Sequence, residues 1–192
     1  MSAPRSMLTR SEPALEAADL ALCRSAMWEA LALGFRPPTG ETVARLMADE
    51  GARALAEAAA VLDAADGTTL EPLVRALAVE PPPTLDALGA SYGGFFGHTA
   101  RGEAPPYETE YGEDSLFQPQ REMSDLGAFF RAFGLRVSAD ARERPDHIAC
   151  ECEFLLVLAR KEARALALEA EPTREATCRA ARVFLRHHQG RW

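Results

Sequence analysis

Pro105-Pro106-Tyr107-Glu108-Thr109-Glu110-Tyr111-Gly112 is followed by an amphipathic run over 120–133 and then by the corner Glu143-Arg144-Pro145-Asp146-His147. Helical periodicity flanks this stretch on both sides. It reads as an acidic, tyrosine-bearing loop, one helix and a second polar corner set into a helical protein.

Working outward, the helix over 119–133 carries Met123, Leu126, Phe129, Phe130 and Phe133 on its apolar side, with Gly134 as its stop. The connector 135–144 leads to Pro145, a residue suited to the first turn of a long helix reaching about residue 170. Ile148, Cys152, Leu155, Leu156, Ala159 and Leu166 form its expected buried stripe. Pro172 restarts the chain as a last helix through Val183, Phe184 and Leu185.

Upstream, a helix over 14–33 has Leu15, Leu22, Ala26 and Ala30 in its apolar stripe, widened by Trp28 and Leu31. Thr39 caps a helix over 40–48 that turns Val43, Leu46 and Met47 to the core, and Gly51 interrupts it. An alanine-rich helix continues to about residue 65, and Asp66-Gly67-Thr68-Thr69 is a turn. A short helix over 70–79 ends at Pro81-Pro82-Pro83. Thr84 caps another, with Leu85, Leu88, Tyr92 and Phe95 or Phe96, whose end Gly93-Gly94 weakens.

The fold class is therefore all-α, a single-domain bundle of eight or nine helices. Residues 1–13 read as a disordered lead-in, and 14–192 as one helical domain with a long acidic loop over 97–119.

The formal net charge is −8. That sign repels phosphate backbones, so no nucleic-acid partner is expected. The four cysteines, Cys23, Cys150, Cys152 and Cys178, match no zinc spacing and read as reduced core thiols. Residues 1–13 lack an apolar export region. No stretch approaches the ~20 apolar residues that span a bilayer. The protein is expected to be soluble and cytoplasmic, without membrane insertion.

Catalytic chemistry finds little support. There is no G-x-S-x-G elbow and no glycine-rich phosphate loop. His147 and Glu151 lie four apart, a spacing that could reach one ion, but no third ligand follows. In the alternative role His147 hydrogen-bonds a neighbouring carboxylate or backbone group, while Glu143 and Asp146 favour the helix dipole.

Glu103, Glu108, Glu110, Glu113 and Asp114 cluster around Tyr107 and Tyr111. Carboxylates pair guanidinium groups two-pronged, and tyrosine rings give flat, partly apolar contact, which suits a peptide carrying arginines and apolar residues. The same composition fits a solvated acidic loop whose tyrosines tuck into the core.

Several of these segments, in this order, resemble the TorD/DmsD/NarJ-type chaperones that mature molybdenum enzymes of the dimethyl sulfoxide reductase family. The stretch 105–112 looks like that family's central motif. Residues 123–135 are similar to its L-A-D-I-A-G-F-Y-R-A-F-G-L segment, with Ser124 and Phe130 at positions where alanine and tyrosine are commoner. Residues 143–147 match its E-R-P-D-H corner. Residues 184–192 resemble its terminal F-L-x-x-H-L-G-R-W, and Tyr92 and Phe96 fit a preceding Y-x-x-x-F. The wording is nearest to the branch serving type II enzymes, such as the dimethyl sulfide, ethylbenzene, selenate and chlorate systems.

The resemblance implies a TorD-like bundle that is not an enzyme and holds no cofactor. It implies two partners: the apo catalytic subunit of a molybdoenzyme and that subunit's twin-arginine leader. Export would be held back until the molybdopterin guanine dinucleotide is inserted. By position, the client-binding residues would be Tyr107, Glu108, Glu110, Tyr111, Arg144, Pro145, Asp146, His147 and Glu151. A NarJ-like variant would serve a client without a cleavable leader. Long linkers also permit exchange of helices between copies, so a homodimer is among the expected assemblies. The competing reading is a small helical metal- or heme-binding enzyme or carrier using His147 and Glu151.

Overall fold

The computed structural model describes residues 12–77, 83–97, 104–111, 118–138 and 143–192. Among them are eight α-helices: α1 (Glu12–Gly34), α2 (Gly40–Met47), α3 (Asp49–Asp66), α4 (Leu70–Ala76), α5 (Leu85–Phe96), α6 (Gln118–Ala132), α7 (Ile148–Ala167) and α8 (Glu171–His187). No strand occurs in the described residues, only an isolated antiparallel bridge between Tyr107 and His147. The architecture is the all-α bundle expected. Residues 1–11, 78–82 and 139–142 lie outside the described set, as do Arg101, Glu103, Glu113 and Asp114 of the acidic loop.

α7 is the central element. Cys150, Cys152, Phe154, Leu155, Leu158, Ala159 and Ala163 are all buried on it, more of its circumference than one stripe supplies. α1 runs antiparallel along it. Arg24 pairs with Glu162 (3.0 Å), Glu29 with Arg160 (2.7 Å) and Arg36 with Glu153 (2.6 Å), so the α7 partner number falls as the α1 number rises. These exposed pairs set orientation more than stability, at roughly 0–1 kcal/mol each.

The face α1 buries is not the one its large residues mark. Ala18, Ala21, Ser25 and Ala32 are buried, whereas Leu22 and Leu31 are 49% and 43% exposed. Small residues at helical spacing let two helices approach closely, and α1 is apolar on nearly every side, so periodicity chooses no face.

An aromatic cluster joins α6, α7 and α8. The Phe154 ring on α7 lies 4.7 Å from Phe184, 5.1 Å from Phe130, 5.7 Å from Phe133 and 6.2 Å from Phe129, centroid to centroid. Leu126 and Phe184 are fully buried in the same core. It sits directly beneath the polar site described below.

Two boundaries, the α2–α3 break and the start of α7, differ from expectation. α2 and α3 part at Ala48, whose extended backbone (ψ 139°) breaks the helix, and Gly51 lies inside the first turn of α3. Glycine is needed there for space, because a Cβ at 51 would sit 2.5 Å from the Arg45 carbonyl oxygen. α5 runs through Gly93 and Gly94 to Phe96, as its expected aromatic positions require. Pro145 precedes α7 instead of opening it, because His147 is the N-cap and Ile148 the first helical residue. Val43, Leu46 and Met47 are only half-buried. The Thr39 and Thr84 caps form as read, accepting from Thr42 N–H and Ala87 N–H.

Phe154→Ala should lower unfolding free energy by about 3–5 kcal/mol, the usual result of emptying an aromatic core position. Urea denaturation measures it. A loss under about 1 kcal/mol would mean that the four surrounding rings are not packed on Phe154 as described.

Candidate functional site

The loop 104–111 is latched to the corner 143–148 by main-chain bonds. The Glu108 N–H donates to the Asp146 carbonyl (2.9 Å), and the Ile148 N–H donates to the Pro106 carbonyl (3.0 Å). Residues Glu108–Tyr111 then close into a 3-10 turn. Side chains complete the latch. Arg144 grips Asp146 two-pronged, Nε to Oδ1 at 2.9 Å and Nη2 to Oδ2 at 2.7 Å. Thr109 donates its hydroxyl to Asp146 Oδ2 (2.7 Å) and accepts from Arg144 Nη2 (2.7 Å). The same guanidinium lies 4.4 Å from the Tyr107 ring centroid, and the Tyr107 hydroxyl donates to Glu143 (3.3 Å).

His147 serves the helix. Its Nδ1 accepts from the Ala149 N–H (3.1 Å), so the ring proton resides on Nε2, 3.9 Å from Glu143. Burial pushes its pKa below the ordinary histidine value despite the neighbouring Glu143, and the ring is neutral at pH 7.

A second network binds residues 188–192 to the same loop. Glu108 is fully buried. His188 Nδ1 lies 3.0 and 3.2 Å from its two oxygens, and Arg191 Nη1 donates to it at 2.9 Å. Burial alone would raise the Glu108 pKa, but the hydrogen bonds and charges of His188 and Arg191 outweigh it and hold the carboxylate ionised. Arg191 Nη2 reaches Glu122 on α6 at 2.6 Å. Glu151, also fully buried, accepts at Oε2 from Gln189 (2.8 Å) and from the Trp192 indole (3.2 Å). Its Oε1 has no donor among the described residues. Burial first, and the Glu108 charge second, push the Glu151 carboxyl up to about 8. It therefore carries a proton at neutral pH and can donate it to Glu108.

The structure brings all nine sequence-predicted residues into one neighbourhood and sorts them by depth. Glu108, Asp146, His147 and Glu151 are buried, Tyr107, Arg144 and Pro145 half-buried, Glu110 and Tyr111 exposed. Tyr111 packs its ring 5.1 Å from Trp192. His188, Gln189, Arg191, Trp192 and Glu122 were missing from the predicted site. The terminal motif, with His188 at its histidine and Gly-Arg-Trp at its close, signals those on 188–192 and nothing signals Glu122; no local pattern says that the motif folds back on the loop. An open cleft of about 1060 Å³ lies beside the network between α6 and α8, with Arg121, Asp125, Phe129, Arg186 and His187 among its walls.

The His147–Glu151 metal pairing is not formed, because His147 turns to Ala149 and Glu151 to Gln189 and Trp192. Among the described residues no group of three or more His, Cys, Asp or Glu could hold a metal ion, and no helix is long and apolar enough to cross a membrane.

The described residues thus form an all-helical bundle with a buried carboxylate network beneath a loop on which Glu110 and Tyr111 are exposed. The chain belongs to the nitrate reductase delta subunit family, whose model matches residues 59–192, and this agrees with the TorD/DmsD/NarJ-type resemblance. It is 38% identical over 85 residues to the selenate reductase assembly chaperone protein of Thauera selenatis, covering 43% of this chain and 39% of that one. It is 34% identical over 124 residues to the chlorate reductase assembly chaperone protein of Ideonella dechloratans, covering 59% of this chain and 58% of that one. The matched part is thus less than two thirds of either relative. Both carry the name of an assembly chaperone and not of a catalyst. A crystal structure described as a redox enzyme maturation protein from Archaeoglobus fulgidus aligns with a TM-score of 0.44 at 18% identity, over 79% of this chain and 91% of that one.

Two outcomes test the geometry. Asp146→Ala should cost about 2–3 kcal/mol, since it removes charge-assisted bonds to Arg144 and Thr109. An unchanged urea midpoint would show the latch to be open in solution. Glu151 gives a pH signature. With its carboxyl raised in the fold, its stabilising contribution is complete below the ordinary value of about 4.3 and is lost as pH rises through about 8. Stability should fall by up to about 1.4 kcal/mol per pH unit across that window, and Glu151→Gln should flatten the slope. Equal slopes in both chains would mean that Glu151 is ionised.

Proposed function

We propose that this protein is a system-specific, non-catalytic assembly chaperone for a molybdopterin-dependent oxidoreductase of the dimethyl sulfoxide reductase family. It binds the apo catalytic subunit and its twin-arginine leader in the cytoplasm, assists cofactor insertion and delays export until folding is complete. The observation that carries this reading is the acidic loop 104–111. It is locked in shape by Asp146, Arg144 and His147, and it leaves Glu110 and Tyr111 open to a partner. In this reading Tyr107, Glu110, Tyr111, Arg144 and Pro145 make the contacts, while Glu108, Asp146, His147 and Glu151 hold them in place. The family membership and the names of the two relatives support it. The −8 charge suits a basic leader and a salt-sensitive association.

Calorimetric titration with the leader peptide of a molybdoenzyme encoded beside it should show saturable binding that weakens with salt. Replacing the leader's arginine pair by alanines should reduce affinity at least about tenfold, the usual scale for losing charge-assisted bonds. Equal affinity for both peptides would remove arginine recognition. Binding of the subunit body without the leader would point to a NarJ-like client.

A further inference from the structure

The acidic site already contains an arginine and an aromatic ring, and both belong to this chain. Arg191 spans two carboxylates, Glu108 at 2.9 Å and Glu122 at 2.6 Å, and Trp192 lies against Tyr111. This is the chemistry the loop composition suits in a foreign peptide: a guanidinium between acids with a flat ring beside it. We infer that Glu108, Glu122 and the Tyr111 ring form a guanidinium-and-ring subsite that Arg191 and Trp192 fill in the resting chain and yield to an arginine-bearing segment of the client. The inference rests on the leader-binding reading above.

The way residues 189–192 are held supports exchange. The 3-10 turn Gln189–Arg191 contains no buried residue, and the Arg191 side chain is 29% exposed. The hold is mainly polar: Arg191 to Glu108 and Glu122, Gln189 and Trp192 to Glu151. A segment with little apolar anchorage opens at low free energy compared with the core. Opening alone would take from Glu108 its guanidinium and leave it to His188 and the Glu151 proton, which is unfavourable for a buried carboxylate. An incoming guanidinium relieves that by replacing like with like. Residues 189–192 therefore keep the site satisfied when no client is present, and a client must compete with an intramolecular occupant. Glu122, outside the predicted site, becomes a specificity residue, because it takes the second prong of the fork.

The test uses the full chain and a fluorescein-labelled synthetic peptide with an Arg-Arg pair ahead of a leucine-rich stretch. Anisotropy is compared for wild type, Arg191→Ala and Trp192→Ala. Removing an intramolecular competitor should tighten peptide binding about tenfold in Arg191→Ala, and by less in Trp192→Ala. Trp192→Ala leaves the Glu108 and Glu122 ion pairs in place, so it carries the test if Arg191→Ala fails to fold. In a Trp28→Phe background, saturating peptide should also shift Trp192 emission to the red as the indole leaves Tyr111. Wild-type binding with no gain in a folded variant, or with no change in Trp192 emission, would make residues 189–192 a structural clasp and overturn this inference alone. If neither wild type nor the variants bind, the leader-binding reading fails and takes the subsite with it.

Discussion

Glu108 has no access to solvent, and its carboxylate is ionised. A buried charge persists only when donors surround it, and here they include His188 and Arg191, far along the chain from the loop. Much else follows from that requirement. The loop must dock so that Glu108 faces inward, which fixes Tyr107 and Thr109 against the Asp146 corner. α8 must end where His188 can turn back. Glu151, one helix away, must keep its proton, because a second negative charge beside Glu108 would be unmatched.

That arrangement needs a rigid floor. α7 provides it by burying side chains around most of its circumference, with α1 close on one side and the phenylalanines of α6 and α8 on the other. Tight packing of this kind permits few alternative rotamers, so the polar groups above inherit well-defined positions. The N-cap bond from Ala149 to His147 makes the corner continuous with that floor. The division of labour is physical: apolar burial supplies the free energy, and the carboxylate networks specify the shape of one surface loop.

Much of this was legible in sequence. Helix order, the Thr39 and Thr84 caps, the turn at Gly67 and the aromatic face of α6 follow from local rules that act within a few residues. What escaped were choices made by tertiary contact. α1 offers apolar side chains all round, so only the approach of α7 selects Ala18, Ala21 and Ser25 over Leu22 and Leu31. Pro145 is a sound helix opener in isolation, yet residues 144–147 make a turn, His147 N–H on the Arg144 carbonyl, and His147, bridged to Tyr107, is the extended N-cap. Gly51 looked like a break and is instead a clearance for the Arg45 carbonyl. In the site, the nine residues read from the motifs do gather. The fold-back of Arg191 and Trp192 was invisible because its partners lie 83 and 41 residues away, and no short-range pattern encodes such a pairing.

Those separations also set an order of events during synthesis. The carboxylate of Glu108 leaves the ribosome long before the guanidinium that matches it, 83 residues later. Until then Glu108 lacks the guanidinium that offsets its burial, which disfavours docking of the loop. The loop is thus completed only once Arg191 has been made, later than the α6 and α7 parts of the helical floor beneath it.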